Sequence, residues 1–250
     1  MSFKSWHSYM QFSHAVKNKS RYVLDRESQD FLKEMENTCA SRVEIITPNS
    51  LMWRAQLGHD ERLYYQDEIY IDDFPIPYST NRMRLLSNGA SEGRANPKGI
   101  PCLYVASTKE TAMSEIRPWL GSIISVAKFS NTQELRVIDF SKYHGERFPF
   151  YIEEPDDDKK QQAVWWHIDN AFSEPVTNSD SKSDYTPTQI IAELIKSLGY
   201  DGIAFKSSLG NGHNLALFDL DSAHFQSCSL SKADKVEFSF SGVSTPFSDE

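Results

Sequence analysis

The sequence predicts an α+β fold preceded by a helical N-terminal segment, and three observations support this. The chain has 250 residues, 39% apolar and 12% aromatic, and a chain of this length buries roughly 75% of its unfolded surface. Short β-branched runs predict strands, and two stretches with helix-start signals predict helices among these strands. Apolar residues at helical spacing in the N-terminal part of the chain predict a helical segment before them. A wholly disordered chain is therefore excluded.

The N-terminal segment, residues 1–50, is predicted to be mainly helical. Its apolar residues recur at roughly helical spacing between Arg21 and Cys39. A β-branched run over Val43 to Ile46 then predicts a short strand, which ends before Pro48.

The next thirty or so residues read as mostly irregular. The apolar run Leu51 to Trp53 ends at Arg54, and glycine and prolines punctuate residues 58–81. We expect a long loop there, a feature that is uncommon unless it serves a site.

Two capping boxes predict the helices of the main domain. Ser107 and Glu110 stand three apart, so a helix should begin there and end near Pro118. The run Thr186 to Gln189 has Pro at the first helical position, and the helix that it starts should end at Gly199.

The predicted strands share a β-branched or continuously apolar composition. Those at 122–129 and 135–140 are expected to pair as a hairpin around Asn131. The other predicted strands of the domain are Leu103 to Ala106, Ile203 to Phe205 and Leu215 to Phe218.

The net charge is −9, and it is unevenly distributed. Proteins that bind nucleic acid carry basic surfaces, so the acidic balance argues against nucleic acid as a direct partner. The window 82–98 reverses the sign to +3 and contains Gly89. Its glycines and guanidinium groups suit an anion such as a pyrophosphate. The basic residues of this window are Arg82, Arg84, Arg94 and Lys98.

The segment 144–184 holds −6 of the net charge. Charge runs are usually solvated, which predicts an acidic insertion at the surface. The adjacent Trp165 and Trp166 argue instead for a short element that packs against the fold. If the insertion covers a site, its deletion should raise turnover there.

Cysteine spacing and hydropathy predict a soluble, cytoplasmic protein. The three cysteines lie far apart without metal-ligand spacing, so neither disulfides nor a metal site are expected. The N-terminal residues lack the apolar stretch of a signal peptide, and no apolar run approaches the ~20 residues that span a membrane. We therefore expect no membrane partner.

Standard catalytic strings are missing, and scattered polar residues take their place. There is no phosphate-binding loop, nucleophile elbow, zinc-protease motif or dinucleotide-binding fingerprint. A charged group at the edge of a core needs a partner or a function. The candidates beside predicted strands and helices are Arg54, Arg94, Tyr104, Glu115 and Ser207.

Two strings carry a resemblance to a known family. GRANPKGIPCLYVASTKETAMSEIRP and, about ninety residues later, DYTPTQIIAELIKSLGYDGIAFKSSLGNGHNLALFD resemble the RES domain, named for its Arg, Glu and Ser. The resemblance covers about residues 50–219 and implies a split, bent β-sheet with flanking helices, like that of ADP-ribosyltransferases. It further implies the toxin part of a bacterial toxin–antitoxin pair that consumes NAD.

The resemblance assigns roles to four residues of the first half. Glu115 would stabilise an oxocarbenium-like ribose or hold a ribose hydroxyl. Arg54 and Arg94 would bind the pyrophosphate or the nicotinamide-side phosphate, and another arginine of the window 82–98 could share this role. Tyr104 would lie against the nicotinamide or hydrogen-bond the ribose. Glu115, Tyr104 and Arg54 are the predicted catalytic residues.

The second string adds two binding residues. Ser207, with Asn214, would hydrogen-bond the ribose or the nicotinamide amide, although Ser208 could replace Ser207. Gln189 and Glu193 lie in the matching stretch, but their i, i+4 spacing is typical of a solvent-facing helix surface, so they are left outside the site.

The leading hypothesis is cleavage of the nicotinamide–ribose bond of NAD by water or phosphate. The alternatives are ADP-ribosylation of a protein and a noncatalytic domain that binds NAD or a partner. NAD is a substrate here, with no cofactor, and a cognate antitoxin and a homo-oligomer are the candidate protein partners. The expected divisions are 1–50, a RES domain over 51–225 and an extension over 226–250.

Overall fold

The computed structural model describes residues 2–84, 92–145, 151–174, 182–237 and 239–240. Gly89 of the basic window, and the stretches 146–150 and 175–181 of the acidic segment, lie outside the described residues.

The helices and strands alternate irregularly along the chain. The helices are α1 (Ser8–Asn18), α2 (Arg26–Cys39), α3 (Thr80–Met83), α4 (Lys109–Glu115), α5 (Asp157–Ser173) and α6 (Thr186–Ser197). The strands are β1 (Val43–Ile46), β2 (Leu51–Leu57), β3 (Asp60–Gln66), β4 (Ile69–Ile76), β5 (Leu103–Ala106), β6 (Ile123–Ser130), β7 (Leu135–Asp139), β8 (Gly202–Lys206), β9 (His213–Leu217) and β10 (His224–Lys232).

Eight strands form one mixed sheet in the order β1-β7-β8-β9-β5-β2-β6-β10. Its neighbours are antiparallel except for the parallel pair β7 and β8. β2 pairs with β6 along its full length, whereas β2 and β5 share the single register pair Trp53 and Ala106. The sheet is therefore split between β5 and β2, and the predicted α+β fold is confirmed.

The two faces of the sheet support separate apolar clusters. In the first core cluster, Ile203 and Phe205 on β8 pack with helices α1, α2, α5 and α6. Ala204, which lies between them in sequence, belongs to a second core cluster, which contains Val137 on β7 and Leu217 on β9. This alternation follows from the two-residue period of a strand. The helical N-terminal segment therefore lies in the core of the domain, where Phe12 and Phe31 stack at 4.5 Å.

The predicted loop over 58–81 is wrong for most of its length, because β3 and β4 form a two-stranded hairpin there. Asp67 and Glu68 make its turn with positive φ angles of 49° and 63°, as a two-residue hairpin turn requires. Most of its side chains are exposed on both faces. Because neither face is buried, the sequence lacks the apolar and polar alternation that identifies most strands.

The predicted hairpin of the strands around Asn131 is also wrong, although both strands exist. β6 pairs with β2 and β10, and β7 pairs with β1 and β8. The Asn131 side chain donates to the Thr47 carbonyl at 2.9 Å, which ties this link to the turn between β1 and β2. β6 and β7 therefore pair with strands that are distant in sequence and do not pair with each other.

Both capping boxes are wrong in detail, although both helices form. Thr108 caps α4 by accepting from the Thr111 N–H at 3.1 Å, while the Ser107 hydroxyl accepts from the His213 N–H. α6 begins without a side-chain cap, and its Gln189 side chain points to another segment. These polar groups found partners distant in sequence.

Helix α5 contradicts the interpretation of the acidic segment as a solvated insertion. Trp165 is 1% exposed, and Val164, Ile168 and Phe172 are fully buried in the first core cluster. The packing element that the adjacent tryptophans predicted is therefore confirmed. Because removal of α5 would empty part of the core, this segment is not a removable cover.

Asp169 of α5 is a buried acid inside this segment. Its side chain is fully buried, with the His144 ring Nδ1 at 2.6 Å and the Ser173 hydroxyl at 3.3 Å. Burial raises the pKa of Asp169 above its ordinary value, and this effect outweighs the opposing influence of His144 and Ser173. The folded state therefore binds this proton more tightly than the unfolded state.

The stability of the fold should depend on this proton. The protonated carboxyl stabilises the fold fully below the unfolded pKa of about 3.9, and this contribution is lost as the pH rises through the raised pKa. Asp169→Asn has no proton to lose. As the pH rises, its free energy of unfolding, measured in urea, should therefore increase relative to that of the wild type. A constant difference between the two proteins would contradict the burial effect.

The C-terminal strand β10 pairs with the edge of β6 from His224 to Lys232, so the expected boundary at 225 falls inside a strand.

None of the described helices is both long enough and apolar enough to cross a membrane.

Candidate functional site

A single cleft of about 280 Å³ lies where the sheet splits between β5 and β2. Five of the six predicted site residues line it, and the sixth, Ser207, is hydrogen-bonded to one of them. The lining residues used below are Arg54, Arg94, Tyr104, Glu115 and Asn214.

Glu115 occupies the last turn of α4, facing β9 and the loop that follows β8. Its Oε1 accepts from the Ser207 hydroxyl at 2.6 Å and from the Asn214 Nδ2 at 2.7 Å. Charge-assisted bonds of this length orient a carboxylate strongly. Its Oε2 accepts no hydrogen bond from the residues that the structure describes. One oxygen is therefore held by the protein, and the other is available to a ligand.

The loop after β8 presents Ser207 to this carboxylate. The Ser207 Oγ accepts from the N–H groups of Leu209 and Gly210 at 3.1 and 3.0 Å, which leaves its own proton for Glu115. Ser208 is exposed. The geometry therefore favours Ser207 over Ser208 as the partner of Glu115.

The loop after β8 packs closely against α4 at Gly212. The Gly212 N–H donates to the Thr111 hydroxyl at 3.0 Å. A Cβ on Gly212 would lie 2.5 Å from the Thr111 Oγ1 and 2.7 Å from the Ser107 Oγ. Glycine is required there because any side chain would push the loop away from α4.

Arg54 reaches the cleft from β2 with few protein partners. Its Nη1 donates to the Tyr104 carbonyl at 3.5 Å, and its Nε is buried without a hydrogen-bond acceptor among the described residues. Burial lowers the pKa of Arg54, and the guanidinium is charged because arginine is not deprotonated in proteins. A half-buried cation with a buried donor that no described residue satisfies is suited to an anionic ligand.

Arg94 approaches from the loop before β5 and is anchored differently. Its Nη1 and Nη2 donate to the carbonyls of Phe172 and Glu174 at the end of α5. Basic side chains commonly satisfy free carbonyls at helix C-termini. Burial lowers the pKa of Arg94, while the nearby Glu115 acts in the opposite direction. Among the described residues, three of the five guanidinium N–H groups have no hydrogen-bond acceptor and could serve a ligand.

Tyr104 on β5 contributes a ring and uses its hydroxyl elsewhere. The hydroxyl donates to the Asn96 Oδ1 at 2.8 Å and accepts from the Ala95 N–H at 2.9 Å. Burial raises the pKa of Tyr104, so the hydroxyl stays protonated. Of its two predicted roles, packing of the ring against a ligand fits this geometry, because the hydroxyl already holds the Arg94 loop.

The remaining arginines of the basic window lie outside the cleft. Arg84 pairs with Asp221 at 2.5 Å, and Arg82 lies 3.4 Å above the Tyr78 ring. The positive charge at the cleft therefore comes from Arg54 and Arg94, which sit on different elements of the fold.

Sequence reasoning missed Gln189. Its amide donates to the carbonyls of Gly93 and Asn96 at 3.0 and 3.1 Å, whereas Glu193 on the same helix is exposed. Gln189 stands three residues before the buried Ala192. A polar residue on the apolar stripe of a helix was the signal that could have identified it.

Other parts of the described chain lack the predicted residues. A larger cleft of about 980 Å³ lies along α1 and α2 and contains none of them. Among the residues that the structure describes, no group of three His, Cys, Asp or Glu side chains is arranged to hold a metal ion.

The sequence model of the RES domain family matches residues 73–241, which is more than half of the chain. The chain belongs to the RES domain family. Within this RES domain match lie all predicted site residues except Arg54, which precedes it on β2.

No curated protein matches this RES domain protein. Among solved structures, it is similar to a chain of the crystal structure of the M. tuberculosis MbcT–MbcA toxin–antitoxin complex. The two are 15% identical, with 78% of this chain and 88% of that chain covered, at a TM-score of 0.39.

Proposed function

We propose that the protein cleaves the nicotinamide–ribose bond of NAD and acts as the toxin of a toxin–antitoxin pair. The observation that carries the enzymatic proposal is Glu115, a carboxylate that lines a cleft with two arginines and has one oxygen held by Ser207 and Asn214. Membership of the RES domain family supports the same reaction, because the resemblance implies NAD-consuming toxins.

The carboxylate fits the charge that develops in this reaction. The C–N bond between ribose and nicotinamide breaks, and nicotinamide leaves with the electron pair. The ribose carbon then resembles an oxocarbenium ion, which a nearby carboxylate stabilises. An oxygen of water or phosphate forms the new bond to that carbon. When water attacks, it releases a proton.

The cations suit the phosphates of the substrate. Arg54 and Arg94 would bind the phosphates, since a guanidinium donates two parallel hydrogen bonds to paired oxygens. The Tyr104 ring would pack against the nicotinamide. Pockets for whole drug-sized ligands measure about 300–1,000 Å³, so a cleft of about 280 Å³ holds the reacting end of a dinucleotide.

The first experiment incubates the purified protein with NAD, with and without phosphate, and separates the products by chromatography. Nicotinamide with ADP-ribose indicates hydrolysis, and nicotinamide with phosphorylated ADP-ribose indicates phosphorolysis. A second incubation with adenylate-labelled NAD and cell lysate detects transfer to protein. NAD left intact in every reaction, after removal of any co-purifying partner, would overturn the enzymatic proposal.

The toxin role has its own test. Induced expression in a bacterial host should arrest growth and lower cellular NAD, and a Glu115→Gln variant expressed at the same level should do neither. Equal arrest by both proteins would separate toxicity from NAD cleavage and contradict this role.

Ser207→Ala tests the orientation of Glu115. The variant keeps Asn214 as a donor but loses the hydroxyl donor at 2.6 Å, so kcat for NAD should fall about tenfold. Ser208→Ala is the matched control and should keep wild-type kcat, because Ser208 is exposed. The reverse order of effects would reassign the serine.

A further inference from the structure

The loop that carries Arg94 is held from three sides. Gly93 and Asn96 close it as a tight turn through a Gly93 N–H to Asn96 carbonyl bond of 3.0 Å. Arg94 itself reaches the end of α5, the Tyr104 hydroxyl bonds the turn from β5, and Gln189 bonds it from α6. Three separate elements therefore determine where the guanidinium stands.

Gln189 contacts this loop through its side-chain amide. Its Nε2 carries two N–H donors and lies within hydrogen-bond distance of three acceptors, which share them: the Gly93 carbonyl at 3.0 Å, the Asn96 carbonyl at 3.1 Å and the Glu92 Oε1 at 3.2 Å. The two carbonyls flank Arg94 in sequence. Every partner is an acceptor, so the position requires a donor, and Gln189 is 7% exposed, so water cannot replace it readily.

The Tyr104 hydroxyl fixes the same turn from the opposite side. It accepts from the Ala95 N–H and donates to the Asn96 side chain. A Cβ on Gly93 would lie 2.6 Å from this hydroxyl, so the turn is packed directly against it. Two polar side chains, one from β5 and one from α6, thus bond the turn that carries Arg94.

We propose that Gln189 is a positioning residue that sets the Arg94 guanidinium for the phosphates of NAD. The proposal rests on the function proposed above and extends it to a residue without contact to the cleft. Arg94 binds the substrate equally before and during bond cleavage in this scheme, so its displacement weakens binding and leaves the chemical step unchanged.

Two variants of similar volume separate the hydrogen bonds from packing. Gln189→Met removes the donor, and Gln189→Glu replaces it with an acceptor that faces two carbonyls and Glu92. Each should raise KM for NAD about tenfold and change kcat less than twofold. Glu193→Gln, on the exposed face of the same helix, is the control and should change neither.

A merely structural role would give a different result. Loss of folded protein lowers the apparent kcat and leaves KM unchanged, and thermal unfolding shows it directly. Unchanged KM in Gln189→Met, with the wild type active, would overturn this proposal and leave the proposed function intact. A wild type that neither binds nor cleaves NAD would overturn both.

A double-mutant cycle tests whether Gln189 acts through Arg94. In an Arg94→Ala background, Gln189→Met should produce no further increase in KM, because the group that it positions is gone. If the fold-increase in KM of the double variant equals the product of the fold-increases of the two single variants, Gln189 acts independently of Arg94 and the proposal is overturned.

Discussion

NAD cleavage should slow about a thousandfold when Glu115 is replaced by Gln, with the dissociation constant for NAD changed only a few-fold. The amide is nearly the same shape, and its Oε1 can still accept from Ser207 and Asn214, as the carboxylate does at 2.6 and 2.7 Å. The variant therefore loses the negative charge and keeps the geometry. Because the ribose becomes positive in the transition state, the loss should appear in kcat.

Single-turnover kinetics and calorimetric titration with NAD measure these two quantities separately. Glu110→Gln is the matched control, since Glu110 lies exposed in the first turn of the same helix. Wild-type kcat in Glu115→Gln would remove the carboxylate from the chemistry. A large loss of NAD affinity with little change in kcat would make Glu115 a binding residue.

Arg54→Met should change activity and stability in opposite directions. We expect kcat/KM for NAD to fall about a hundredfold, because a buried guanidinium binds phosphate oxygens strongly. The free protein should become more stable by about 1 kcal/mol, or about 3 °C in Tm. Among the described residues the Arg54 Nε has no hydrogen-bond partner, and burial dominates the lowering of its pKa, so without substrate its charge opposes folding.

Differential scanning calorimetry and steady-state kinetics on the same preparations provide the test. Arg62→Met, on the exposed hairpin of β3 and β4, controls for the loss of a positive charge. Unchanged kcat/KM would exclude Arg54 from the binding site. A lower Tm would mean that Arg54 contributes more through packing than its desolvation costs.

The elements that could be predicted from the sequence are those with local causes. The predicted strands at 43–46 and 103–106 match β1 and β5, and α6 begins at Thr186, one residue before the predicted first helical position at Pro187. Each depends on β-branched content or on proline at a helix start, which act within a few residues. The hairpin of β3 and β4 escaped prediction because its exposure on both faces removed the expected alternation.

The candidate site was predictable in composition and not in its connections. The order of Arg94, Tyr104 and Glu115 came from the family resemblance, and the structure puts all three along one cleft. The use of the Tyr104 hydroxyl to hold a loop could not be read from a strand residue. The i, i+4 spacing of Gln189 and Glu193 predicted a solvent-facing position, whereas the Gln189 amide donates to the Gly93 carbonyl.

By itself, the sequence determined the elements with local causes, such as β1, β5 and α6, together with the family and the residue types of the candidate site. Only the tertiary structure decided that Glu115 meets Ser207 and Asn214, which follow it by 92 and 99 residues. It also decided that α5 belongs to the core and that Arg94 caps it. The physical reason is range: propensity and capping act over a few residues, whereas contacts between distant residues depend on which strands pair and which faces pack.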